Sequence, residues 1–158
     1  MKTNQILLMA GRITELPLVL IELEENNFHL VLEGKLPGKK TAFWIVDTGA
    51  SKTVFDRNLE DCYELVENAG NEEYQSAGIS VGMVETQVGQ LKKLKFGPVK
   101  MKDLKVALID LSHVNNIYQK YRDIQISGLL GSDVLKAYGC RIDYQAETIS
   151  FYKKPLKR

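Results

Sequence analysis

Residues able to do hydrolytic chemistry are few in this 158-residue chain, and they converge on one short run, Asp47-Thr48-Gly49-Ala50-Ser51. Two carboxylates set face to face can hydrolyse a peptide bond. At that distance two like charges cannot both stay ionised, so the pair holds one proton between them. One carboxylate acts as base on a water while its protonated neighbour donates to the peptide carbonyl, and the two titrate as a unit. Asp47 is the candidate acid. Gly49 lets the backbone turn sharply and offers an amide to the carboxylate. Thr48 can hold the loop rigid through its hydroxyl, and Ala50 and Ser51 keep the floor small enough for a substrate backbone. Asp47, Thr48 and Gly49 are thus the candidate catalytic set, with Ala50 and Ser51 as substrate-binding positions.

Other chemistries lack a comparable set. His29 and His113 lie far apart, with no cysteine or acidic spacing typical of a zinc site, so no metal is expected. His29, in an alternating strand, is expected to face solvent, and His113 to lie on the surface of a helix start. No serine or cysteine stands in a recognisable nucleophile elbow. Gly128 to Gly131 lacks the lysine and spacing of a phosphate loop. No cofactor is expected. Paired-carboxylate chemistry needs two acids, yet this is the sole Asp-Thr-Gly in the chain. A two-fold axis between two copies of Asp47 supplies the second, so a homodimer is expected.

The elements that must position this run read mainly as β-strands. Glu15 to Leu23 and Phe28 to Gly34 are two extended runs around a polar turn, a predicted hairpin. After a turn at Leu36 to Lys40, the strand Thr41 to Val46 ends directly on Asp47, and a strand end holds a reactive group in fixed aim. A short helical turn is predicted within Phe55 to Leu65, an extended glycine-punctuated stretch over Glu72 to Phe96, and a strand over Met101 to Leu111. A helix is predicted over Ser112 to Tyr121, with Ser112 capping its start. Ile126 to Gly131 reads as a strand entering a tight turn, Ser132 to Tyr138 as a helix stopped by Gly139, and Cys140 to Tyr144 and Thr148 to Tyr152 as strands. Thr148 to Tyr152 suits part of a dimer interface and an internal core strand equally well.

With these elements in place, the chain resembles the retropepsins, the retroviral-type single-domain aspartic proteases, and especially their bacterial and cellular relatives. The resemblance rests on Phe43-Trp44-Ile45-Val46-Asp47-Thr48-Gly49-Ala50-Ser51-Lys52-Thr53-Val54 and, some eighty residues later, Gly128-Leu129-Leu130-Gly131-Ser132-Asp133-Val134-Leu135. It implies an acid-protease half-barrel, mainly β, with a flap hairpin and short helices. It further implies that Leu129, Leu130 and Gly131 brace the catalytic loop, and that Gly78, Ile79 and Gly82 belong to the substrate-binding flap. Retroviral enzymes carry an acidic residue where Ser51 stands and an arginine where Ser132 stands. Both are serine here, which alters the inner subsites and leaves the acid pair intact. A single domain over residues 1–158 is expected, with its core from about 15 to 152. The implied function is a homodimeric aspartic endopeptidase acting on polypeptides without a cofactor. The second reading is a non-catalytic module of the same fold that binds peptides or dimerises.

Bulk properties are those of an ordinary folded globule. Apolar residues make up 44% and charged residues 26%, which excludes a disordered tail. A formal net charge of +1 removes any whole-chain electrostatic case for nucleic acid or acidic lipid. No run reaches the length of a membrane span. The apolar patch at Ile6 to Ala10 is too short for a signal peptide, so a cytoplasmic location is expected. Cys62 and Cys140 cannot build a disulfide framework and are expected as two buried free thiols.

Overall fold

Strand pairing in the computed structural model, which describes residues 11–67 and 86–153, is built around a ring. The sheet that contains it comprises β2 (Val19–Glu24), β3 (Asn27–Leu36), β4 (Lys40–Val46), β5 (Val54–Asp56), β6 (Glu64–Leu65), β7 (Gln87–Phe96), β8 (Val99–Ile109) and β9 (Ile126–Leu130). They run in the order β2-β3-β4-β9-β5-β8-β7-β6, and a further pairing of β3 with β7 closes the strands between them into a ring, with β2 and β6 attached outside it. The remaining strands, β1 (Arg12–Pro17), β10 (Arg141–Asp143) and β11 (Thr148–Lys153), form a separate sheet in the order β1-β11-β10. The α-helices among the described residues are α1 (Ser112–Tyr121) and α2 (Ser132–Ala137), and single 3-10 turns lie at Pro37–Lys39 and Glu60–Cys62. The fold is mainly β, as its sequence implied.

Apolar patterning explains the ring. Leu30, Leu32, Trp44, Phe55, Leu94, Phe96 and Leu108 fill the larger cluster, where the Trp44 ring lies 5.6 Å from Phe55, tilted, and 6.0 Å from Phe96, edge to face. A second cluster lies on the opposite face of the strands, where Ile21, Val31, Val88 and Ala107 pack with Leu111 and Tyr118 of the α1 region. Leu30, Val31 and Leu32 are therefore all buried. With both faces of β3 covered, the simple alternation expected for a half-exposed strand fails there.

Several expectations are corrected. The apolar run Glu15 to Leu23 is divided at Leu18 between two sheets: β1 pairs with β11, and β2 forms the hairpin with β3. His29 does not face solvent freely. Its Nδ1 lies 2.6 Å from the hydroxyl of the buried Tyr118, and burial pushes that phenol up to about 12. Ser112 is the first residue of α1 and not its cap, since the Asp110 carboxylate accepts its amide at 2.9 Å and its hydroxyl at 2.6 Å. Thr148 to Tyr152 lies between β1 and β10 in the three-stranded sheet, paired with β10 over Thr148 to Ser150 and with Ile149 and Phe151 buried, which fits the core-strand alternative. Cys62 and Cys140 are free thiols but only half-buried, and burial raises Cys140 to about 11. Gly78, Ile79 and Gly82, the expected flap, lie outside the described residues.

One buried side chain fixes the strand that later meets the acid loop. Asn115 of α1 accepts from the Ile126 amide at 2.6 Å and donates to the Ile126 carbonyl at 3.0 Å. Both backbone polar groups of Ile126 thus find partners away from water. Asn115→Ala leaves them unpaired, and urea unfolding should show a loss of about 2–4 kcal/mol. Acid sensitivity is also readable here. Hydrogen bonds from the Ser112 hydroxyl and amide, then from Asn58, hold Asp110 at about 2, below its ordinary 3.8. A carboxyl depressed on folding stabilises above its unfolded value, and that contribution fades as pH falls toward 2. NMR titration should place the Asp110 midpoint near 2 and return it toward 3.8 in Ser112→Ala.

Candidate active site

Asp47 follows directly on β4, where the chain leaves the ring. β9 lies between β4 and β5, parallel to one with Val46 opposite Leu130 and antiparallel to the other with Val54 opposite Leu129. The residues from 47 to 53 must therefore arch over the end of β9. The Asp47 amide donates to the Leu130 carbonyl at 3.0 Å, which continues the β4–β9 ladder into the acid itself. The Ala50 amide then closes a turn on the Asp47 carbonyl at 3.2 Å.

Within the arch, the Gly49 amide donates to Asp47 Oδ1 at 3.0 Å. Glycine fits here for space more than for torsion. Gly49 is not in the left-handed region, but a Cβ would lie 3.3 Å from that same carboxylate oxygen. Asp47 is half-buried, and Thr48 and Gly49 are exposed at the tip. Ala50 is half-buried and Ser51 exposed beside them. The Thr48 hydroxyl makes no bond among the described residues.

Gly131 is where the second segment touches the arch. A Cβ there would fall 2.7 Å from the Lys52 carbonyl carbon and 2.8 Å from the Ala50 oxygen, so only glycine admits this approach. The Ser132 amide donates to the Ala50 carbonyl at 2.8 Å. Leu129, Leu130 and Gly131 thus lie against the run from Asp47 to Thr53. Deeper in, Gly128 passes so near Trp44 that a Cβ would approach its ring to 2.4 Å.

The hydroxyl that ties this arch within one chain belongs to Thr53, a residue to which sequence reasoning gave no role. Thr53 is fully buried, accepts from the Gly131 amide at 3.0 Å and donates to Asp133 Oδ1 at 2.7 Å. Its own amide reaches Asp133 Oδ2 at 3.1 Å, and its carbonyl accepts from Ala107 at 2.9 Å. Asp133 also accepts from the Val134 amide at 2.8 Å, in the first turn of α2 where negative charge is favoured. An acid at a helix start was a visible signal. Its partner eighty positions away was not.

The described residues contain no group of three or more His, Cys, Asp or Glu placed to hold a metal ion. Two surface concavities, one beside Cys62 and Tyr63 and one beside Arg141 and Tyr152, lie away from Asp47. No described helix is long and apolar enough to cross a membrane.

A strand-borne acid loop braced by an inserted strand and a short helix places the chain in a class. The chain belongs to the aspartyl protease family, whose sequence model matches residues 32–134, a span that runs from β3 into the first turn of α2. Among solved structures it is similar to a retropepsin-like aspartic protease from Rickettsia conorii, at 15% identity and TM-score 0.49, covering 93% of this chain and 97% of that one. It is also similar to the retroviral protease-like domain of Ddi1 from Leishmania major, at 16% identity and TM-score 0.48, covering 78% and 87%. No curated protein matches the sequence.

The bracing can be tested apart from any activity. Thr53→Val removes one acceptor and one donor from a fully buried network and should cost about 2–4 kcal/mol in chemical unfolding. Thr53→Ser keeps the hydroxyl and should cost about 1 kcal/mol for its lost methyl. Equal losses in the two variants would show that the hydroxyl is not what holds the arch.

Proposed function

We propose that the protein is an aspartic endopeptidase that works as a homodimer, with Asp47 of each copy supplying one of two facing carboxylates. The observation that carries this reading is the commitment of the chain's other aspartates. Asp56 is buried and accepts from Asn58 and Leu111, Asp110 from Ser112, Asp133 from Thr53, and Asp143 from Gln145 and Ala146. Each holds a turn or a loop. Asp61, Asp103 and Asp123 are exposed and lack the glycine loop that frames Asp47. This supports a second copy of Asp47 as the source of the second acid, with the exposed tip at Thr48 and Gly49 as the place where such a copy can meet the first.

In that arrangement the dyad shares one proton. The ionised carboxylate takes a proton from water as the water oxygen attacks the peptide carbonyl carbon. The protonated carboxyl gives its hydrogen to the carbonyl oxygen, forming a tetrahedral diol. Collapse returns a proton to the amide nitrogen, the C–N bond breaks, and the new amine and carboxyl ends leave. The Gly49 amide keeps the Asp47 carboxylate aimed, and the ladder bond to Leu130 keeps the loop from swinging. An extended polypeptide suits the site, with alternate side chains on either side of the cleft floor formed by Ala50 and Ser51. The flap role of Gly78, Ile79 and Gly82 belongs to the same proposal.

Asp47→Asn separates this reading from a peptide-binding module. Cleavage of denatured protein or of a peptide library should fall by about 10²–10⁴-fold, while sedimentation still reports a dimer and the melting temperature stays near wild type. Peptide binding by the wild type with no hydrolysis from acidic to neutral pH would favour the binding module instead.

A further inference from the structure

A cluster of lysines occupies the outer wall of the ring, at the end remote from Asp47. β7 and β8 set Lys93 opposite Lys102 and Lys95 opposite Lys100, and Lys95 also stands opposite Lys35 of β3. Directly opposed residues share a sheet face with Cβ atoms about 5 Å apart, so five ammonium groups stand together. All five are exposed, whereas Leu94, Phe96 and Met101 between them are buried in the larger core cluster. Glu33 reaches Lys35 at 3.5 Å. Lys93, Lys95, Lys100 and Lys102 have no carboxylate partner among the described residues.

Such an array works against the fold, because like charges placed directly opposite each other weaken a sheet. Edge protection accounts for only part of it. Lysines guard strands with an unpaired edge, which fits Lys100 and Lys102 on β8, whose pairing with β5 begins only at Ala107, but β7 is paired at Lys95 on both sides. Overall charge does not account for it either, since the chain carries only +1. The positive field is local, on a wall that α1 does not cover.

We propose that this wall docks an acidic stretch of extended polypeptide. Along β7 and along β8 the lysines repeat every second residue, about 6.8 Å, which is also the repeat of same-side carboxylates on an extended acidic chain. No arginine stands in the array for two-pronged phosphate capture. None of the large exposed apolar or aromatic side chains lies in it, so it offers neither a stacking platform for bases nor a wedge for lipid. Lys35 stands opposite Thr41, and the rise of β4 from Thr41 to Asp47 is about 20 Å. Under the protease reading, on which this consequence rests, the docked acidic segment lies about six or more residues from the scissile bond. Docking itself does not require that reading.

The test measures binding of a fluorescein-labelled decaglutamate peptide to the full chain by anisotropy. Phosphatidylserine-containing vesicles and an oligothymidylate of matching charge are run beside it. Lys93→Glu with Lys100→Glu converts both opposed lysine pairs of the hairpin into opposite-charge pairs, so the melting temperature should match or exceed wild type. Peptide affinity should drop about tenfold or more. Lys120→Glu with Lys136→Glu makes the same change in net charge on the two helices and should weaken binding much less. The proposal is overturned if the two double variants weaken binding equally or if wild type does not bind the peptide. It is also overturned if vesicles or oligothymidylate bind the wall more tightly than the peptide, or if the hairpin variant melts well below wild type. Peptide docking without any Asp47-dependent hydrolysis would keep this surface and reject the protease reading.

Discussion

The site depends on one steric constraint, the passage of Gly131 against the backbone of residues 50–52. With less than 3 Å available for a Cβ, no other residue lets β9 end where it does. That approach brings the Gly131 amide to Thr53 and the Ser132 amide to Ala50, and it sets α2 so that Asp133 can hold Thr53 from the other side. The two amide contacts are ordinary hydrogen bonds worth about 1 kcal/mol net each, and the bond to the Asp133 carboxylate is worth about 1.5–3 kcal/mol. Together they deny the acid loop any alternative path, which matters more for a catalytic group than their summed energy.

The same geometry explains why an apolar ring is needed around so small a site. β9 is held between β4 and β5 by ladder bonds, but its start is pinned from outside by Asn115 and its middle packs on Trp44 within. An error in any of these would shift Leu130, and with it the amide bond that continues into Asp47. Core packing and site precision are therefore one property in this protein.

Much of this was legible in sequence where the signal is local. The strand running into Asp47, the turn at Leu36 to Lys40 and the helix stopped by Gly139 all follow from apolar runs and turn residues a few positions apart. What stayed hidden was long-range. Thr53 and Asp133 are eighty positions apart, and His29 meets Tyr118 across eighty-nine. Neither pairing leaves a trace in composition or period. The run from Glu15 to Leu23 is apolar enough that no periodicity marks its division, and only the pairing partners reveal that Leu18 separates two sheets. Thr148 to Tyr152 is open to two readings for a related reason, since aromatic and β-branched residues suit a core strand and an interface alike.

A single copy holds Asp47 firmly in its loop, and the proposed chemistry requires two such acids to act together. The most direct measurement mixes wild type with Asp47→Asn in varying proportion, allows subunits to exchange, and records peptide cleavage per total protein. If both carboxylates are required, activity should follow the square of the wild-type fraction, leaving roughly one-quarter in an equal mixture. Activity that falls in simple proportion, leaving about half, would mean that each chain cuts alone and would contradict the account.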